Sequence, residues 1–561
     1  MILAWRDSFK VEIMGITLLS TAGSSLQERS CKTHGRIATQ EGAGAEKPGR
    51  QKRITSSMVR DDHSTEIREK SDFTRSSKAF TATVPHSVHA SCAAYCSVGV
   101  IILLLLHFTC FARLDTALLS SRTHDDTSSP SESLRPQRVR KHIYIHNLPP
   151  EFNSNLVARC RYGITSRLIN FCPHTSNDGL GMNLDSKKQR PPRNRSGSAI
   201  AAAAAAVDDA FRHGWYKTDP YMLEFIFHSR LQSYPCRTSN ASMADAFFIP
   251  YYARLDALRY LYNTTQQAET HGKKLVEWLK ENAGDEWRRN GGCDHFMVLG
   301  RTTSWDFDVV SDGVVESWGT GILSLPRMKN VTTVLLERKP WLENEQAVPY
   351  PTSFHPSSVL ELYRWLAKVR SVERRSLFAF AGATRAHLKD SIRSRLLQQC
   401  SESVACSLIN CHQLQCSTHN PKPIMNVFLR SKFCLQPRGD IPTGRLTFDG
   451  MIAGCIPVFF HEHSAYTQYT LHFPSDKKSY SVYISEEQIT LGTSIEAELL
   501  KFSEDKIEQM RETIVSFIPK LLYARHSHAA GFQSVQGDAF DTTLEGVLQK
   551  VARYKEQLNL S

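Results

Sequence analysis

The sequence predicts an α/β fold with parallel sheets, arranged in two halves that follow a single apolar segment. Three observations support this prediction. From residue 141 onward, short apolar strands alternate with amphipathic helices, which is the pattern of βαβ units. The strand segments are apolar on both faces, as buried parallel strands are. Residues 93–112 form one apolar run, and a helix of about 20 such residues can cross a bilayer.

The region around the apolar run predicts a membrane-anchored protein. Residues 1–92 are polar and lack sustained periodicity, so we predict a disordered cytosolic tail. An extension from a mis-assigned start codon would look the same, with Met58 as the alternative start. We interpret residues 93–112 as a transmembrane signal anchor, because a cleavable signal peptide would lie nearer the N-terminus. Residues 113–140, rich in Ser and Pro, form the expected stem.

Two features beyond the anchor are compatible with a lumenal location. Ten of the 14 cysteines lie beyond residue 150. The four cysteines within residues 400–416 lack the paired CxxC spacing of a zinc site, so disulfides are favoured over metal. Five N-glycosylation sequons also follow the anchor. They are Asn194, Asn240, Asn263, Asn330 and Asn559.

The net charge does not indicate a nucleic-acid partner. The formal charge is +12, which alone could suggest binding to nucleic acid. However, the basic residues are scattered and mostly interleaved with acids, with no long Lys/Arg run. We therefore predict no nucleic-acid binding.

The first predicted half spans residues 141–370 and contains a low-complexity insert at 186–207. Strands are predicted in HIYIHNL, ADAFFIP, HFMVL and NVTTVLLE. In open α/β sheets, ligands gather outside the carboxyl ends of the strands, so polar residues that flank these strands are candidates. A solvated loop carboxylate or a structural histidine is the alternative. The candidates are Asp256, Asp294, His295 and Asp306.

The second predicted half spans residues 371–561 and is organised around residues 431–461. Its first strand, in SLFAFAGATR, places Arg385 at a carboxyl edge. Residues 432–436 and 456–460 are then predicted strands. Between them lies a helix that Thr443 caps and Gly454 closes.

The loop before this helix suits a phosphate. It contains Pro437, Arg438, Gly439 and Asp440, and Arg445 follows on the helix. A glycine-containing loop at a helix N-terminus presents free backbone N–H groups and the positive end of the helix dipole. An ordinary βαβ unit with solvated arginines is the alternative. Two halves that face each other, one with such a loop, form a cleft suited to a nucleotide or a phosphorylated ligand.

Several ordered segments resemble the plant exostosin-like glycosyltransferases of family GT47, and are similar to its xyloglucan galactosyltransferase group of the KATAMARI type. Among them are WYKTDPYMLEFIFHSRL, GGCDHFMVLGRTTSWDF, LFAFAGATR and FCLQPRGDIPTGRLTFDGMIAGCIPVFF. The resemblance covers about residues 141–555. It implies the GT-B fold, with an acceptor-side Rossmann-like domain (141–370) and a nucleotide-sugar-binding one (371–561). It also implies a single-pass type II protein of the Golgi membrane with its catalytic part in the lumen.

The resemblance further implies an inverting transferase. It would move galactose from UDP-galactose to O2 of the xylosyl side chains of xyloglucan, a hemicellulose of the cell wall. A related transferase that uses UDP-xylose, UDP-arabinose or UDP-galacturonic acid on xyloglucan or pectin is the alternative, as is a non-catalytic Golgi scaffold. Other wall-polysaccharide glycosyltransferases are expected partners. No cofactor or metal is expected, because arginines and a helix N-terminus can stabilise the leaving UDP.

Residue roles follow from the resemblance. A base in the first half takes the proton of the acceptor hydroxyl, and the four candidates named above remain open. The sequence departs from the family at three positions: Gly444 replaces an arginine, Asn147 replaces an acid, and Ser304 is inserted. Asp449 is expected to bind the ribose hydroxyls. The expected donor-binding residues are Arg385, Arg438, Gly439, Asp440, Thr443, Arg445 and Asp449.

Overall fold

Two parallel sheets form the framework of the region that the structure describes. The structure is a computed structural model that describes residues 141–160, 170–185, 213–258, 268–301, 322–384, 391–411, 421–439, 441–525 and 537–560. All of these ranges belong to one compact unit of the chain. The predicted tail, anchor and stem (1–140) and the insert (186–207) lie outside the described residues.

The first sheet has six strands, all parallel. Its order is β4-β1-β5-β6-β7-β8, and β2 and β3 form a separate short antiparallel pair. From β1 the chain first adds β4 on one side and then β5 and the later strands on the other side, so the switch point lies between β1 and β5. The strands are β1 (Ile143–Ile145), β2 (Met182–Asn183), β3 (Tyr216–Lys217), β4 (Arg237–Thr238), β5 (Ala246–Ile249), β6 (His295–Val298), β7 (Thr332–Leu335) and β8 (Glu345–Ala347).

The second sheet has five strands, also all parallel. Its order is β10-β9-β11-β12-β13, so its switch point lies between β9 and β11. Ligands of open α/β sheets bind outside the carboxyl ends of the strands at such points. The strands are β9 (Ser376–Gly382), β10 (Cys406–Asn410), β11 (Ser431–Gln436), β12 (Ile456–Phe459) and β13 (Val482–Tyr483). Together the two sheets confirm the predicted α/β class with parallel sheets.

Helices connect the strands. For example, Ser358 is the N-cap of α6 (Val359–Ser371), and its side chain accepts from the backbone N–H of Glu361. This helix buries one apolar face. The described helices are α1 (Ser154–Ala158), α2 (Leu223–Gln232), α3 (Ala253–Leu258), α4 (Ala268–Asn282), α5 (Gly284–Arg289), α6 (Val359–Ser371), α7 (Ile392–Glu402), α8 (Lys422–Leu429), α9 (Arg445–Ile452), α10 (Glu486–Thr490), α11 (Ile495–Leu499), α12 (Glu504–Phe517) and α13 (Ala539–Leu560).

A continuous apolar core connects the two halves. The Trp365 ring on α6 lies 5.3 Å from the Trp215 ring and 5.2 Å from the Phe354 ring, measured between centroids. Its Nε1 donates to the carbonyl oxygen of Ile452 on α9 at 2.8 Å. Since Trp215 and Phe354 precede the second sheet and Ile452 lies within the second half, α6 fixes one half against the other.

The C-terminal helix returns to the first half. Lys555 Nζ on α13 donates to the carbonyl oxygen of Asp245 at 2.8 Å. Just before α13, the buried Asp538 accepts from Arg230 of α2 at 2.5 Å. The end of the chain therefore helps to hold the two halves together.

Disulfides are present, as predicted for the cysteines of residues 400–416. The structure contains the disulfides Cys160–Cys172, Cys400–Cys406 and Cys434–Cys455. Within the described ranges, no group of three or more His, Cys, Asp or Glu side chains could hold a metal ion. None of the described helices is long and apolar enough to cross a membrane.

Candidate functional site

The carboxyl edges of the two sheets meet at Glu337. This fully buried residue lies just after β7. Its Oε1 accepts from the Tyr350 hydroxyl at 2.7 Å, and its Oε2 accepts from the backbone N–H of Thr443 at 3.2 Å. Because Thr443 belongs to the β11–α9 loop, one carboxyl group connects both edges. Burial raises the pKa of Glu337 to about 8, although its two hydrogen bonds act in the opposite direction.

Arg445, the first residue of α9, also spans the junction. Its Nη1 donates to the carbonyl oxygen of Thr218 at 2.7 Å, and its Nη2 donates to Ser353 Oγ at 2.6 Å. Its Nε donates to Asp449 Oδ2, one helical turn later, at 3.1 Å. The predicted donor-binding Arg445 is thus held by groups of both halves, next to the β11–α9 loop.

Asp449 is buried beneath this arginine. Its side chain is only 8% exposed. Its Oδ1 has no hydrogen-bond partner among the described residues. Burial raises the pKa of Asp449, and the neighbouring Arg445 charge only partly offsets that effect. The Oδ1 atom is therefore the part of Asp449 that remains available to accept a hydrogen bond.

Arginine side chains of the β11–α9 loop and of α7 hold this loop in place. Arg438 Nε donates to Glu486 Oε1 on α10 at 2.8 Å. Arg393 on α7 donates to the carbonyl oxygens of Pro437 and Arg438, at 3.2 and 3.0 Å. Burial, together with the positive charge of Arg438, lowers the pKa of His461 after β12 to about 4. His461 is consequently neutral near pH 7, and the cationic groups beside the loop are arginines.

Helix α9 begins at Arg445 with Gly444 as its N-cap, and no side chain caps it. The prediction that Thr443 caps the helix is wrong, since the Thr443 hydroxyl accepts from the backbone N–H of Ala465 instead, at 3.3 Å. Glycine has no side-chain acceptor, so it leaves the first N–H groups of the helix without a side-chain partner. Such a helix N-terminus suits an anion. Gly454, with φ of +67°, follows the helix end as predicted.

Two of the base candidates lie at the amino edge of the first sheet. Asp294 precedes β6 and His295 begins it, and both are fully buried. Asp294 Oδ1 lies 2.8 Å from His295 Nδ1, and its Oδ2 accepts from Asn290 at 2.5 Å. The His295 ring stacks on Phe247. These groups pair with one another on the side of the sheet away from the junction.

Asp256 is also an internal group. It lies on α3 and is fully buried. The Tyr251 hydroxyl donates to its Oδ2, and His271 Nδ1 lies 3.0 Å from its Oδ1. The structure thus brings Thr443, Arg445 and Asp449 together, but it does not bring these three base candidates to them.

A second buried polar cluster lies at the carboxyl edge of the first sheet. Glu224 Oε1 on α2 accepts from the backbone N–H groups of Arg254 and Gly300, at 2.8 and 2.9 Å. These amides belong to the segments after β5 and β6. In the described part of the chain, Glu224 Oε2 and the Nε and Nη1 of Arg254 are buried without any hydrogen-bond partner. Burial raises the pKa of Glu224 to about 7.

Neither Glu337 nor Glu224 was among the site residues predicted from the sequence. Glu337 closes the predicted strand NVTTVLLE, so an acid directly after an apolar strand was an available signal. Glu224 interrupts an apolar helical pattern. Its burial follows from the fold and cannot be predicted from the local sequence.

The predicted glycosylation sites differ in their surroundings. Asn240 is exposed, and its Oδ1 accepts from the backbone N–H of Ser242 at 3.0 Å. The side-chain amide of Asn330 donates to the carbonyl oxygen of Gly291 at 3.0 Å, so it already has a structural partner.

The remaining predicted site residues lie outside the described ranges. They are Asp306, Arg385, Asp440, Asn194 and Asn263, together with the side chain of Asn559.

Comparison with known sequences identifies similar proteins. A family model described as the exostosin GT47 domain matches residues 137–499. The chain is 39% identical over 422 residues to the xyloglucan galactosyltransferase MUR3 of Arabidopsis thaliana, a match that spans 74% of this chain and 63% of that protein. It is 37% identical over 419 residues to the xyloglucan galactosyltransferase XLT2 of Arabidopsis thaliana, spanning 74% of this chain and 75% of that protein. The match with MUR3 thus covers less than two thirds of that protein's length.

Solved structures show only distant similarity. The spinosyn rhamnosyltransferase SpnG matches with a TM-score of 0.26 and 11% identity, over 56% of this chain and 97% of that one. The pneumococcal O-GlcNAc transferase GtfA, in complex with UDP and GlcNAc, matches with a TM-score of 0.22 and 11% identity, over 47% of this chain and 59% of that one. TM-scores this low do not establish a shared fold.

Proposed function

Because this chain belongs to the exostosin GT47 family, we propose that it is an inverting glycosyltransferase that moves galactose from UDP-galactose to O2 of the xylosyl side chains of xyloglucan. Its relatives are named as xyloglucan galactosyltransferases, which supports galactose as the sugar and xyloglucan as the polysaccharide. The two parallel-sheet halves support a GT-B arrangement, with the second half as the nucleotide-sugar side.

The meeting of the two carboxyl edges is the observation that carries this proposal. Glu337 of the first half accepts from the backbone N–H of Thr443, near the end of the second half's β11–α9 loop, at 3.2 Å. A nucleotide sugar on that loop would present its anomeric carbon to the first half, where the acceptor binds. Ligand binding at the carboxyl ends of both sheets is the expected use of this topology.

The loop supplies the groups that a departing UDP requires. In a single displacement, the acceptor oxygen forms a bond to the anomeric carbon while the bond from that carbon to the UDP oxygen breaks. The negative charge that develops on the diphosphate lies near the uncapped N-terminus of α9 and the Arg438 guanidinium. Both stabilise anionic charge without a metal. Asp449 Oδ1, which lacks a partner among described residues, would accept from a ribose hydroxyl.

The cellular setting is part of the proposal. Residues 93–112 would anchor the chain in the Golgi membrane as a type II protein, with residues 141–561 in the lumen beside other wall-polysaccharide glycosyltransferases. Disulfides in the described region, such as Cys434–Cys455, support an oxidising compartment.

The experiment is a donor panel with the purified full-length chain. UDP-galactose, UDP-xylose, UDP-arabinose and UDP-galacturonic acid are each incubated with xylosylated glucan oligosaccharides and with pectic oligosaccharides, with and without a metal chelator. We expect transfer from UDP-galactose to the xylosylated acceptor, and the same rate with the chelator. Transfer from another donor alone would contradict the assignment of the sugar, and a folded chain that uses none of them would support the scaffold alternative.

Variants of two arginine–glutamate pairs test the donor site. Arg438→Gln is expected to raise KM for UDP-galactose, because Arg438 lies beside the leaving diphosphate. Arg370→Gln is the matched control, since Arg370 pairs with Glu512 at 3.0 Å on the surface, away from the loop. An equal effect of both substitutions would contradict this placement of the donor.

A further inference from the structure

Glu224 combines an anchored carboxylate oxygen with one that has no partner. Its Oε1 is fixed by two backbone N–H groups from adjacent strand ends. Its Oε2 is buried and, in the described part of the chain, accepts no hydrogen bond. An unsatisfied buried acceptor costs about 1–3 kcal/mol, so a native structure that retains one calls for an explanation.

Arg254, beside Glu224, has buried hydrogen-bond donors without described partners. Its guanidinium is 3% exposed, and its Nη2 lies 3.7 Å from Asp219. Its Nε and Nη1 donate to no described group. An acceptor and two donors without partners, close together, match the hydroxyl groups of a saccharide, which both donate and accept hydrogen bonds.

The cluster lies at the carboxyl edge, next to the proposed donor site. Arg445 of the second half donates to the carbonyl oxygen of Thr218, which lies six residues before Glu224 on the same segment. Between them lies Tyr221, whose ring lies beneath the Arg254 and Arg301 guanidinium groups at 5.1 and 5.7 Å. Tyr221 and Arg301 are only partly buried, so this is the side from which a saccharide would approach.

We propose, resting on the proposed function, that Glu224 Oε2 is the general base that accepts the proton of the acceptor hydroxyl, and that Arg254 positions the acceptor sugar. As the O–H bond of the acceptor breaks, its proton passes to Glu224 Oε2. The acceptor oxygen then bonds to the anomeric carbon, and UDP leaves with the electron pair of the broken C–O bond. The carboxyl group returns its proton to solvent after the product leaves.

The electrostatic surroundings support this role. The charged and titratable groups that face Glu224 are Arg254 on α3, Arg301 after β6, and Tyr252 before α3. Burial raises the pKa of Glu224 to about 7, although both arginines and the two backbone hydrogen bonds act in the opposite direction. A base with a pKa near the working pH is effective, because about half of it is ionised and the ionised form still binds the proton firmly. Transfer should therefore increase with pH through about 7.

The test compares wild type, Glu224→Gln and Glu224→Asp in the full-length chain. Glutamine keeps an oxygen that can accept the two backbone N–H groups but cannot accept the proton. Asp245→Asn is the matched control, since Asp245 also accepts a backbone N–H, that of His142 at 2.6 Å, but lies at the amino end of β5. The measurements are kcat, KM for donor and acceptor, the pH profile of kcat, and Kd for UDP.

Glu224→Gln is expected to lower kcat by about 100-fold or more, while Kd for UDP stays close to wild type. The increase in kcat through pH 7 should disappear in Glu224→Gln and persist in Glu224→Asp at a lower rate. Asp245→Asn should keep the wild-type kcat and pH profile. Should Glu224→Gln fail to fold, Glu224→Asp decides, since an unchanged rate and pH profile in that variant would overturn the proposal.

Failure of this inference is distinguishable from failure of the proposed function. If Glu224→Gln retains the wild-type rate of transfer and its pH dependence, only the role of Glu224 is overturned. A wild-type chain that binds UDP but transfers no sugar from any donor would overturn both.

Discussion

Replacement of Arg445 by alanine is expected to destabilise the protein strongly. The side chain donates three hydrogen bonds, to Thr218, Ser353 and Asp449, and it connects the two halves. Asp449 is 8% exposed, and its Oδ1 already lacks a partner among the described residues. Without Arg445 the buried carboxylate loses its counter-charge, and breaking a buried ion pair in this way costs about 3–5 kcal/mol.

Urea unfolding of the full-length chain measures this change, with Arg370→Ala as the control. The Arg370–Glu512 pair is exposed, and exposed pairs contribute about 0–1 kcal/mol. The loss in Arg445→Ala should shrink as the pH falls, because a protonated Asp449 carries no charge to leave unpaired. A loss as small as that of Arg370→Ala, or one that does not depend on pH, would refute the reasoning.

Three further outcomes are expected from other parts of the fold. Burial raises the pKa of Glu337 from 4.5 to about 8, so the native state binds the proton more tightly than the unfolded state does. The free energy of unfolding should therefore fall as the pH rises between these values. Glu337→Gln should flatten this pH dependence, and an unchanged pH dependence would contradict the raised pKa of Glu337. Gly444→Arg should leave the melting temperature unchanged, because the backbone at Gly444 is extended and a Cβ would meet nothing within 4 Å. The same substitution should lower Kd for UDP in calorimetry. A lower melting temperature would contradict the open space inferred at Gly444. Replacing Cys434 and Cys455 by serine should lower the free energy of unfolding by about 3 kcal/mol, since their disulfide closes a loop of 21 residues. Chemical denaturation measures this loss, with Cys236→Ser as the control, because Cys236 is a free cysteine. An equal loss in both variants would contradict a stabilising role of the disulfide.

The sequence was sufficient for the elements whose patterns are local. The apolar segments at 432–436 and 456–460 correspond to β11 and β12, because runs of buried residues between turn signals define such strands. The strands β2, β3, β4, β8 and β10 were not predicted. β4, for example, is the dipeptide Arg237–Thr238 at the edge of its sheet, and two polar residues carry no strand pattern.

The candidate site was harder to predict because its contacts are distant in sequence. Glu337 and Thr443 are separated by 106 positions, and Arg445 and Thr218 by 227, so neither contact follows from local periodicity. The start of α9 was placed one residue too early because a threonine is a good N-cap, whereas the structure uses Thr443 to hold the segment at Ala465.

The position of a polar residue relative to its strand indicates which edge of the sheet that residue occupies. Asp294 and His295 stand where β6 begins, and the amino end of a parallel strand points away from the ligand-binding edge. Glu224, by contrast, reaches the carboxyl edge from a helix. The distance of Glu224 along the sequence from the nearest strand does not indicate that it lies at the carboxyl edge.

The most direct test of the account is the structure of the product made by the purified full-length chain from UDP-galactose and a xylosylated glucan oligosaccharide. Mass spectrometry and NMR of the product should show one added galactose per reacting xylosyl residue, in β-linkage to its O2. An α-linkage, attachment to the glucan backbone, or unreacted acceptor with a correctly folded protein that binds UDP would contradict the account.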